Sequence, residues 1–260
     1  MEMQIKRAVK AGNSSAIILP RSWLNMEVRV EIVKKNNETI LSDALEILKQ
    51  HIKLSSIMGV YLTGSYARKE ESPDSDIDIL VITDDIDKEM INEGIYNVLV
   101  ISKKLLKQKL ETDLLPIGQM MREAMPLLNS DFLNLIKVEV TKENVKWYID
   151  TTESKLRMIE KIINISKKKN KKYLSDRIAY TLVLRIRTLH IIENLLKNKD
   201  YTKKEFVKII ETVSKGKNAY ERYLAMKNNM KDENKLTLQE AEALYGYLKN
   251  QLDKTKHLLK

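Results

Sequence analysis

The sequence predicts a three-part α+β chain: a short β-hairpin module, a small mixed α/β core and a C-terminal α-helical bundle. Three observations predict this order. Apolar residues alternate in a strand-like way over residues 5–34, short apolar strands then follow with helical stretches between them, and apolar residues later recur at helical spacing. We place the limits of the three parts at residues 1–36, 37–145 and 146–260.

The first part is a candidate hairpin. An apolar run at residues 16–19 precedes a second strand, in which Val28, Val30 and Ile32 fall on one face. Gly12 and Asn13 are typical of a turn between strands. Because so short a segment cannot close a core, we expect it to pair with a second copy or to lie on the rest of the protein.

The middle of the chain predicts alternating helices and strands, which is typical of mixed α/β folds. The predicted helices cover residues 40–52, 103–110 and 117–128, and the predicted strands cover residues 57–63, 77–83 and 95–101.

The last part predicts long amphipathic helices that share an interior, since their apolar residues form stripes. Each helix is preceded by a candidate capping box, in which a polar residue is followed three positions later by glutamate. These pairs are Asp150 with Glu153, Thr202 with Glu205, and Thr237 with Glu240. The lysine-rich residues 166–172 are predicted to form a loop between helices.

Composition narrows the class of protein. The chain has no cysteine, which excludes disulfides and thiolate metal sites and favours a reducing compartment. The first residues lack the apolar stretch of a signal peptide, and no run approaches the roughly 18 apolar residues that span a membrane. We therefore expect a cytoplasmic protein without a membrane segment.

The net charge of +10 is unevenly distributed. Residues 1–35 carry 7 basic and 3 acidic side chains, residues 36–145 carry 12 and 19, and residues 146–260 carry 27 and 14. Solvated helix faces in a lysine-rich chain would explain this pattern. Alternatively, acidic metal ligands lie in the middle and phosphate-bearing partners meet the basic ends.

A candidate site lies between the first two core strands, at residues 64–80 (GSYARKEESPDSDIDIL). Gly64 allows backbone N–H groups to approach a phosphate closely, and Ser65 adds a hydroxyl donor. The period of two along a strand places Asp76 and Asp78 on one face while Ile77 points into the core. Two carboxylates on one face suit Mg²⁺ bound together with phosphate oxygens.

These motifs resemble the DNA polymerase beta superfamily. The pattern Gly-Ser-x-Ala-Arg at residues 64–68 and Ser-Asp-Ile-Asp at residues 75–78 is most similar to the minimal nucleotidyltransferases. Residues 121–127 (MREAMPL) resemble the helix that closes that small domain, so the resemblance covers about residues 38–141.

The resemblance implies roles for individual residues. Gly64 and Ser65 would hold the triphosphate of an NTP, with ATP as the expected nucleotide. Asp76 and Asp78 would bind Mg²⁺ or Mn²⁺, and Arg68 would contact phosphate.

The third acidic residue of the family pattern is missing. Residues 95–100 (IYNVLV) offer only Asn97 at the matching place of the next strand. An asparagine oxygen coordinates a metal but cannot accept a proton from an attacking hydroxyl. Asn97 is therefore a candidate catalytic residue of weakened function. Glu139, in the apolar stretch 135–140, is an alternative carboxylate, or an edge or surface residue without a role in the site.

The N-terminal residues 9–24 (VKAGNSSAIILPRSWL) and 28–32 (VRVEI) resemble the swapped-hairpin AbrB/SpoVT family. That family forms interlaced dimers that bind DNA through a basic face, which implies a homodimer here. The candidate DNA contacts are Lys6, Arg7, Lys10 and Arg21. A module that serves only for dimerisation is the alternative.

The helical part resembles in architecture the acceptor-binding domains of kanamycin nucleotidyltransferase-like enzymes. Residues 185–190 (RIRTLH) also fit the Arg-x4-His pattern of HEPN ribonucleases, which implies RNA cleavage by Arg185 and His190. A histidine that only packs in the bundle is the alternative. His51 and His257 lack metal-ligand spacing.

The leading hypothesis is a metal-dependent nucleotidyltransferase that moves a nucleoside monophosphate, expected to be AMP, to a hydroxyl on a protein, an RNA or a small molecule. The alternatives are a catalytically weakened DNA-binding regulator and a fused HEPN-type protein with toxin–antitoxin character.

Overall fold

The computed structural model describes residues 6, 8–28, 30, 35–73 and 75–259. Near the N-terminus, β1 (Val9–Ala11) and β2 (Ser14–Ala16) form an antiparallel hairpin. Gly12 has a φ of +60° in the turn between them, so the predicted turn is confirmed.

The predicted second N-terminal strand is not observed. Of the run 16–19 only Ala16 is in a strand, because the strand that it pairs with begins at Val9, opposite Ala16. Val28 and Val30 lie outside any strand, and Ile32 lies outside the described residues.

The core contains a mixed sheet, to which the described chain contributes five strands in the order β5-β6-β4-β3-β7. The strands are β3 (Ile57–Thr63), β4 (Ile77–Thr83), β5 (Ile91–Glu93), β6 (Tyr96–Ser102) and β7 (Met125–Leu128). β3 is antiparallel to β4 and β7, whereas β4 is parallel to β6. The predicted limits of β3 and β4 are confirmed, and β6 is shifted by one residue.

Helices cover both faces of the sheet. The helix α1 (Asn37–His51) packs its apolar stripe on one face, while α3 (Lys103–Thr112), α4 (Ile117–Glu123) and α5 (Ser130–Asn134) pack on the other. A short helix, α2 (Gly64–Ala67), follows β3 directly. The prediction of helix through residue 128 was wrong, since α4 ends at Glu123 and β7 pairs with β3. Pro126 is tolerated there because β7 is an edge strand.

The C-terminal helices enclose a second core. They are α6 (Lys142–Lys168), α7 (Asp176–Leu196), α8 (Lys203–Ser214), α9 (Asn218–Lys227) and α10 (Leu238–Leu258), with a small sheet of β8 (Tyr173–Leu174) and β9 (Leu236–Thr237). Across the described ranges, no helix combines the length and apolar character needed to cross a membrane.

The helix caps differ partly from the prediction. Thr202 and Thr237 are confirmed as N-caps, and Thr237 forms a reciprocal capping box with Glu240. Asp150 was wrongly predicted as a cap, because α6 already begins at Lys142 with a capping box between Thr141 and Asn144. The predicted boundary after residue 145 therefore falls in the first turn of α6, and the predicted loop 166–172 begins only after Lys168.

Polar contacts join the sheet to the bundle. Glu70, in the loop after α2, accepts a hydrogen bond from the backbone N–H of Lys203 at 2.9 Å. Arg122 of α4 donates to the carbonyl oxygen of Asn198 at 2.6 Å. These contacts hold the first turn of α8 next to the loop that follows β3, which creates a cleft between the two parts.

Candidate active site

Three polar residues lie side by side at one edge of the sheet. Thr63 is paired with Asp78 between β3 and β4, and Asp78 is paired with Asn97 between β4 and β6. Because β3 ends where β4 and β6 begin, the turn that leaves β3 at Gly64 reaches the same edge. The Gly-Ser and Asp-x-Asp motifs thus meet in space.

Gly64 lies directly against Asp78. It has a φ of +68°, a conformation that side chains rarely adopt, and a Cβ added there would be 2.1 Å from Asp78 Oδ2. The backbone oxygen of Ser65 accepts a hydrogen bond from Glu70 N–H at 2.9 Å, which closes the loop after α2. Only glycine therefore allows this approach of backbone and carboxylate.

Asp78 lies within β4, whereas Asp76 directly precedes the strand, which begins at Ile77, so the predicted sharing of one strand face is not observed. Ile77 and Ile79 are fully buried in the core, while Asp78 is half-buried and Asp76 is exposed. Burial raises the pKa of Asp78; the hydrogen bond from Asn97 opposes this shift, and the nearby charge of Asp76 reinforces it. A cation at this edge would relieve the cost of holding two carboxylates together.

Asn97 of β6 pairs with Asp78 of β4, at the position where the resemblance implies a third acid. Its Nδ2 donates to Asp78 Oδ1 at 3.2 Å. Within residues 6, 8–28, 30, 35–73 and 75–259, no group of three or more histidine, aspartate or glutamate side chains could hold a metal ion. Asp76 and Asp78 would hold a divalent ion together with ligands from phosphate and water, as Mg²⁺ commonly takes them.

Arg68 contacts carboxylates instead of pointing freely into the cleft. Its Nη1 donates to Glu123 Oε2 at 2.6 Å, and its Nε donates to Glu70 Oε2 at 3.0 Å. Glu123 also accepts from Gly64 N–H at 2.8 Å and from Gln119 at 3.2 Å. Glu123 thus connects Arg68 to the glycine turn, and the sequence analysis did not identify this role.

The site opens into a cleft of about 420 Å³ between the sheet and the bundle. Thr63, Gly64, Ser65, Arg68 and Asp78 line its floor. The opposite side, here called the helical wall, consists of Arg187, Tyr201, Lys203, Phe206, Tyr220, Tyr223, Leu224 and Lys227. Sequence reasoning missed these wall residues because no local motif marks them.

The wall combines aromatic rings with basic groups. The rings of Tyr201 and Phe206 lie 6.2 Å apart, and those of Phe206 and Tyr220 lie 6.5 Å apart. The guanidinium groups of Arg68 and Arg187 lie 5.5 and 5.4 Å from the centre of the Tyr201 ring. Tyr201 thus packs at the junction between floor and wall.

The alternative carboxylate, Glu139, lies outside this site. It lines a separate groove beside α3, and its carbonyl oxygen accepts from Asn144 Nδ2 at 2.9 Å. The structure therefore does not support the expectation that Glu139 replaces the missing acid.

The two residues of the HEPN-like pattern are not brought together. Arg185 Nη1 donates to Thr151 Oγ1 at 2.9 Å, and its guanidinium lies over Trp147 of α6. His190 is instead buried beside Tyr201 and Phe206, and burial lowers its pKa. This geometry fits the alternative in which His190 packs in the bundle.

The predicted DNA contacts that the structure describes do not line the cleft. Lys6, Lys10 and Arg21 are exposed, and Arg7 lies outside the described residues.

Comparison with known proteins gives one family match, to the Nucleotidyltransferase domain over residues 41–211. This range includes the glycine turn, both aspartates and part of the helical wall. The spectinomycin adenyltransferase AAD(9) from Enterococcus faecialis, solved with ATP and spectinomycin, has a TM-score of 0.42 at 13% identity, covering 84% of this chain and 100% of that one. A nucleotidyltransferase-like protein from Exiguobacterium sibiricum 255-15 has a TM-score of 0.37 at 11% identity, covering 86% and 75%.

No curated protein matches the chain. The family match covers more than half of the 260 residues and includes the motifs that meet at the edge of the sheet. The chain belongs to the nucleotidyltransferase domain family.

Proposed function

We propose that this protein transfers a nucleoside monophosphate from an NTP to an acceptor hydroxyl and releases pyrophosphate, with AMP from ATP as the expected donor group. The observation that carries the proposal is the contact between Gly64 and Asp78 at the floor of an open cleft. A glycine turn that accepts phosphate and a carboxylate that accepts a cation lie side by side, as transfer at the α-phosphorus requires.

In the proposed reaction the acceptor oxygen bonds to the α-phosphorus, and the bond from that phosphorus to the bridging oxygen of pyrophosphate breaks. The hydroxyl proton leaves to solvent, since Asn97 cannot accept it. Ser65 and the turn at Gly64 orient the triphosphate, and Asp76 and Asp78 would hold Mg²⁺ or Mn²⁺. Such an ion supplies charge neutralisation at the phosphates.

The test is incubation of the pure protein with α-labelled NTPs, ATP first, and Mg²⁺ or Mn²⁺ in native cell extract. We expect label on an acceptor with the wild type and at least about a hundredfold less with the double substitution D76N/D78N. D84N/D85N removes the same charge from exposed residues just beyond the other end of β4, so it is a matched control that keeps activity. Labelling that survives in D76N/D78N would exclude this mechanism.

A catalytically weakened DNA-binding regulator is the second candidate. It is favoured by Asn97, whose amide donates to Asp78 where the family pattern places a third acid. In this case the basic residues Lys6, Arg7, Lys10 and Arg21 would contact DNA phosphates. We would then expect salt-sensitive binding of the protein to its own promoter without nucleotide turnover. Binding to DNA no tighter than that of a charge-matched basic protein would count against this second candidate.

A further inference from the structure

The helical wall carries positive charge that no carboxylate of the described residues neutralises. Lys203 begins α8 and Lys227 ends α9, and both are exposed at the cleft. Among the described residues, the ion pairs of lysines and arginines within 4.0 Å of a carboxylate involve neither of these lysines nor Arg187. The guanidinium of Arg187 contacts the hydroxyl groups of Tyr201 and Tyr223 but no carboxylate among the described residues, and its Nε is inaccessible to solvent and has no hydrogen-bond partner there.

The floor of the cleft offers little competing positive charge. The Arg68 guanidinium is engaged by Glu70 and Glu123, at 3.0 and 2.6 Å. An anion that enters beside Gly64 therefore meets its strongest attraction from the opposite side, where Arg187, Lys203 and Lys227 lie. Lys227 lines the same cleft as Asp78, so the wall faces the edge of the sheet that holds this carboxylate.

The metal site, in contrast, is poor in ligands. Among the described residues no third acidic side chain completes a metal site with Asp76 and Asp78, and Asn97 donates an N–H to Asp78. A site with fewer carboxylates holds a divalent cation less strongly. Neutralisation of a triphosphate here consequently depends more on protein cations than it would in a site with three acids.

We propose that Arg187, Lys203 and Lys227 bind the triphosphate directly, so that NTP binds this cleft without a divalent ion and the ion held by Asp76 and Asp78 is required only for transfer. This inference rests on the proposed function, because it takes the ligand of the cleft to be an NTP. Arginine and lysine are the side chains that most often bind phosphate, one through a planar fork and the other as a point charge.

The test is equilibrium dialysis of the full chain with labelled ATP, in excess EDTA and in Mg²⁺. We expect saturable binding in EDTA, and a loss of affinity in EDTA of about tenfold or more for K203Q/K227Q, which corresponds to the loss of charge-assisted contacts. K204Q/K231Q is the matched control, since Lys204 and Lys231 are exposed neighbours that do not line the cleft. The control variant should bind ATP as the wild type does.

Arg187 is tested separately, because its partial burial makes a folding defect possible. R187Q should weaken ATP binding in EDTA, R187K should restore part of it by returning the charge, and circular dichroism should show the same helix content in both. A loss of binding in R187Q with altered helix content would be assigned to misfolding, and the lysine pair would then decide.

Saturable binding only in Mg²⁺, or equal affinities for K203Q/K227Q and K204Q/K231Q, would overturn the proposal. Its failure is distinguishable from failure of the proposed function. If the wild type binds ATP in EDTA but labels no acceptor, the nucleotidyltransferase proposal fails while the binding site stands. If the wild type labels an acceptor but binds ATP only with metal, the proposal of metal-independent binding fails while the nucleotidyltransferase proposal stands.

Discussion

Gly64 and Gly94 both have a left-handed backbone, with φ values of +68° and +58°, but their surroundings differ. A Cβ at Gly64 would collide with Asp78 Oδ2, whereas a Cβ at Gly94 would meet nothing within 4 Å. We expect G94A to lose about 1–2 kcal/mol of the free energy of unfolding from backbone strain, and G64A to lose at least as much, because its Cβ also meets Asp78. If Asp78 acts as proposed, its displacement by about 1 Å costs about a hundredfold in rate, so only G64A should also lose transfer.

Urea unfolding and the labelling assay, applied to both variants, measure the two effects separately. G94A is the control for strain without contact. Equal transfer rates in the two variants would show that the close approach of Gly64 to Asp78 has no part in the reaction.

At the scale of single residues, the sequence analysis predicted the part of the site that one short segment contains. Gly64, Asp76 and Asp78 fall on either side of one loop between adjacent strands, and Asp78 pairs with Thr63 where β3 ends. The partners of Arg68 could not be predicted in this way. Glu123 comes from a helix 55 residues later, so its contact depends on tertiary packing.

At the scale of elements, α7 carries His190 into the bundle. Burial lowers the pKa of His190 in the folded state, opposed in part by the charges of Glu205 and Glu193, so the unfolded chain binds a proton more readily. The contribution of a neutral His190 to stability is therefore complete above its ordinary pKa of 6.5 and declines as pH falls towards the lower folded value.

We expect the free energy of unfolding to fall more steeply between about pH 6.5 and pH 5 in the wild type than in H190Q, which cannot titrate. Denaturant unfolding at several pH values gives both slopes, and the difference between them removes the contribution of carboxylates common to both proteins. Equal slopes would mean that His190 titrates alike in the folded and unfolded chain.

The element predictions succeeded where apolar periodicity was long and had clear limits. The strands β3 and β4 are bounded by a glycine turn and by acidic residues, and the sequence limits agree with the structure. The prediction of a helix at residues 125–128 was wrong because a short apolar run does not distinguish helix from strand. Pairing with β3 makes this segment a strand. The prediction of Asp150 as an N-cap was wrong because its spacing to Glu153 also occurs inside a long helix.

At the scale of the whole molecule, the site belongs to neither part alone. The floor comes from the sheet, and the cations of the helical wall come from α7, α8 and α9. Sequence patterns predicted both parts but not the cleft between them, since contacts such as Glu70 with the N–H of Lys203 join residues 133 positions apart. The relative placement of two packed units depends on such contacts, which have no periodic signature.

The N-terminal segment has a different relation to the rest of the chain. Its apolar side chains Ile18, Leu24, Met26 and Val30 are each more than 60% exposed, although none belongs to the cores of the sheet or the bundle. Several exposed apolar residues in one short segment favour burial against a partner. Since two short strands cannot form a core alone, we propose a second copy of the chain as that partner.

We therefore expect the full chain to behave as a dimer of 30.3 kDa subunits in size-exclusion chromatography with light scattering. Removal of residues 1–34 should yield a monomer with unchanged ATP affinity, because the described residues that line the cleft all lie from Thr63 onward. I18E/L24E in the full chain is the point-variant counterpart, since a charge at each exposed apolar position opposes association without shortening the chain. A monomeric full chain would show that these side chains do not form a subunit interface, whereas a dimer that persists after truncation would place the interface on the core or the bundle instead.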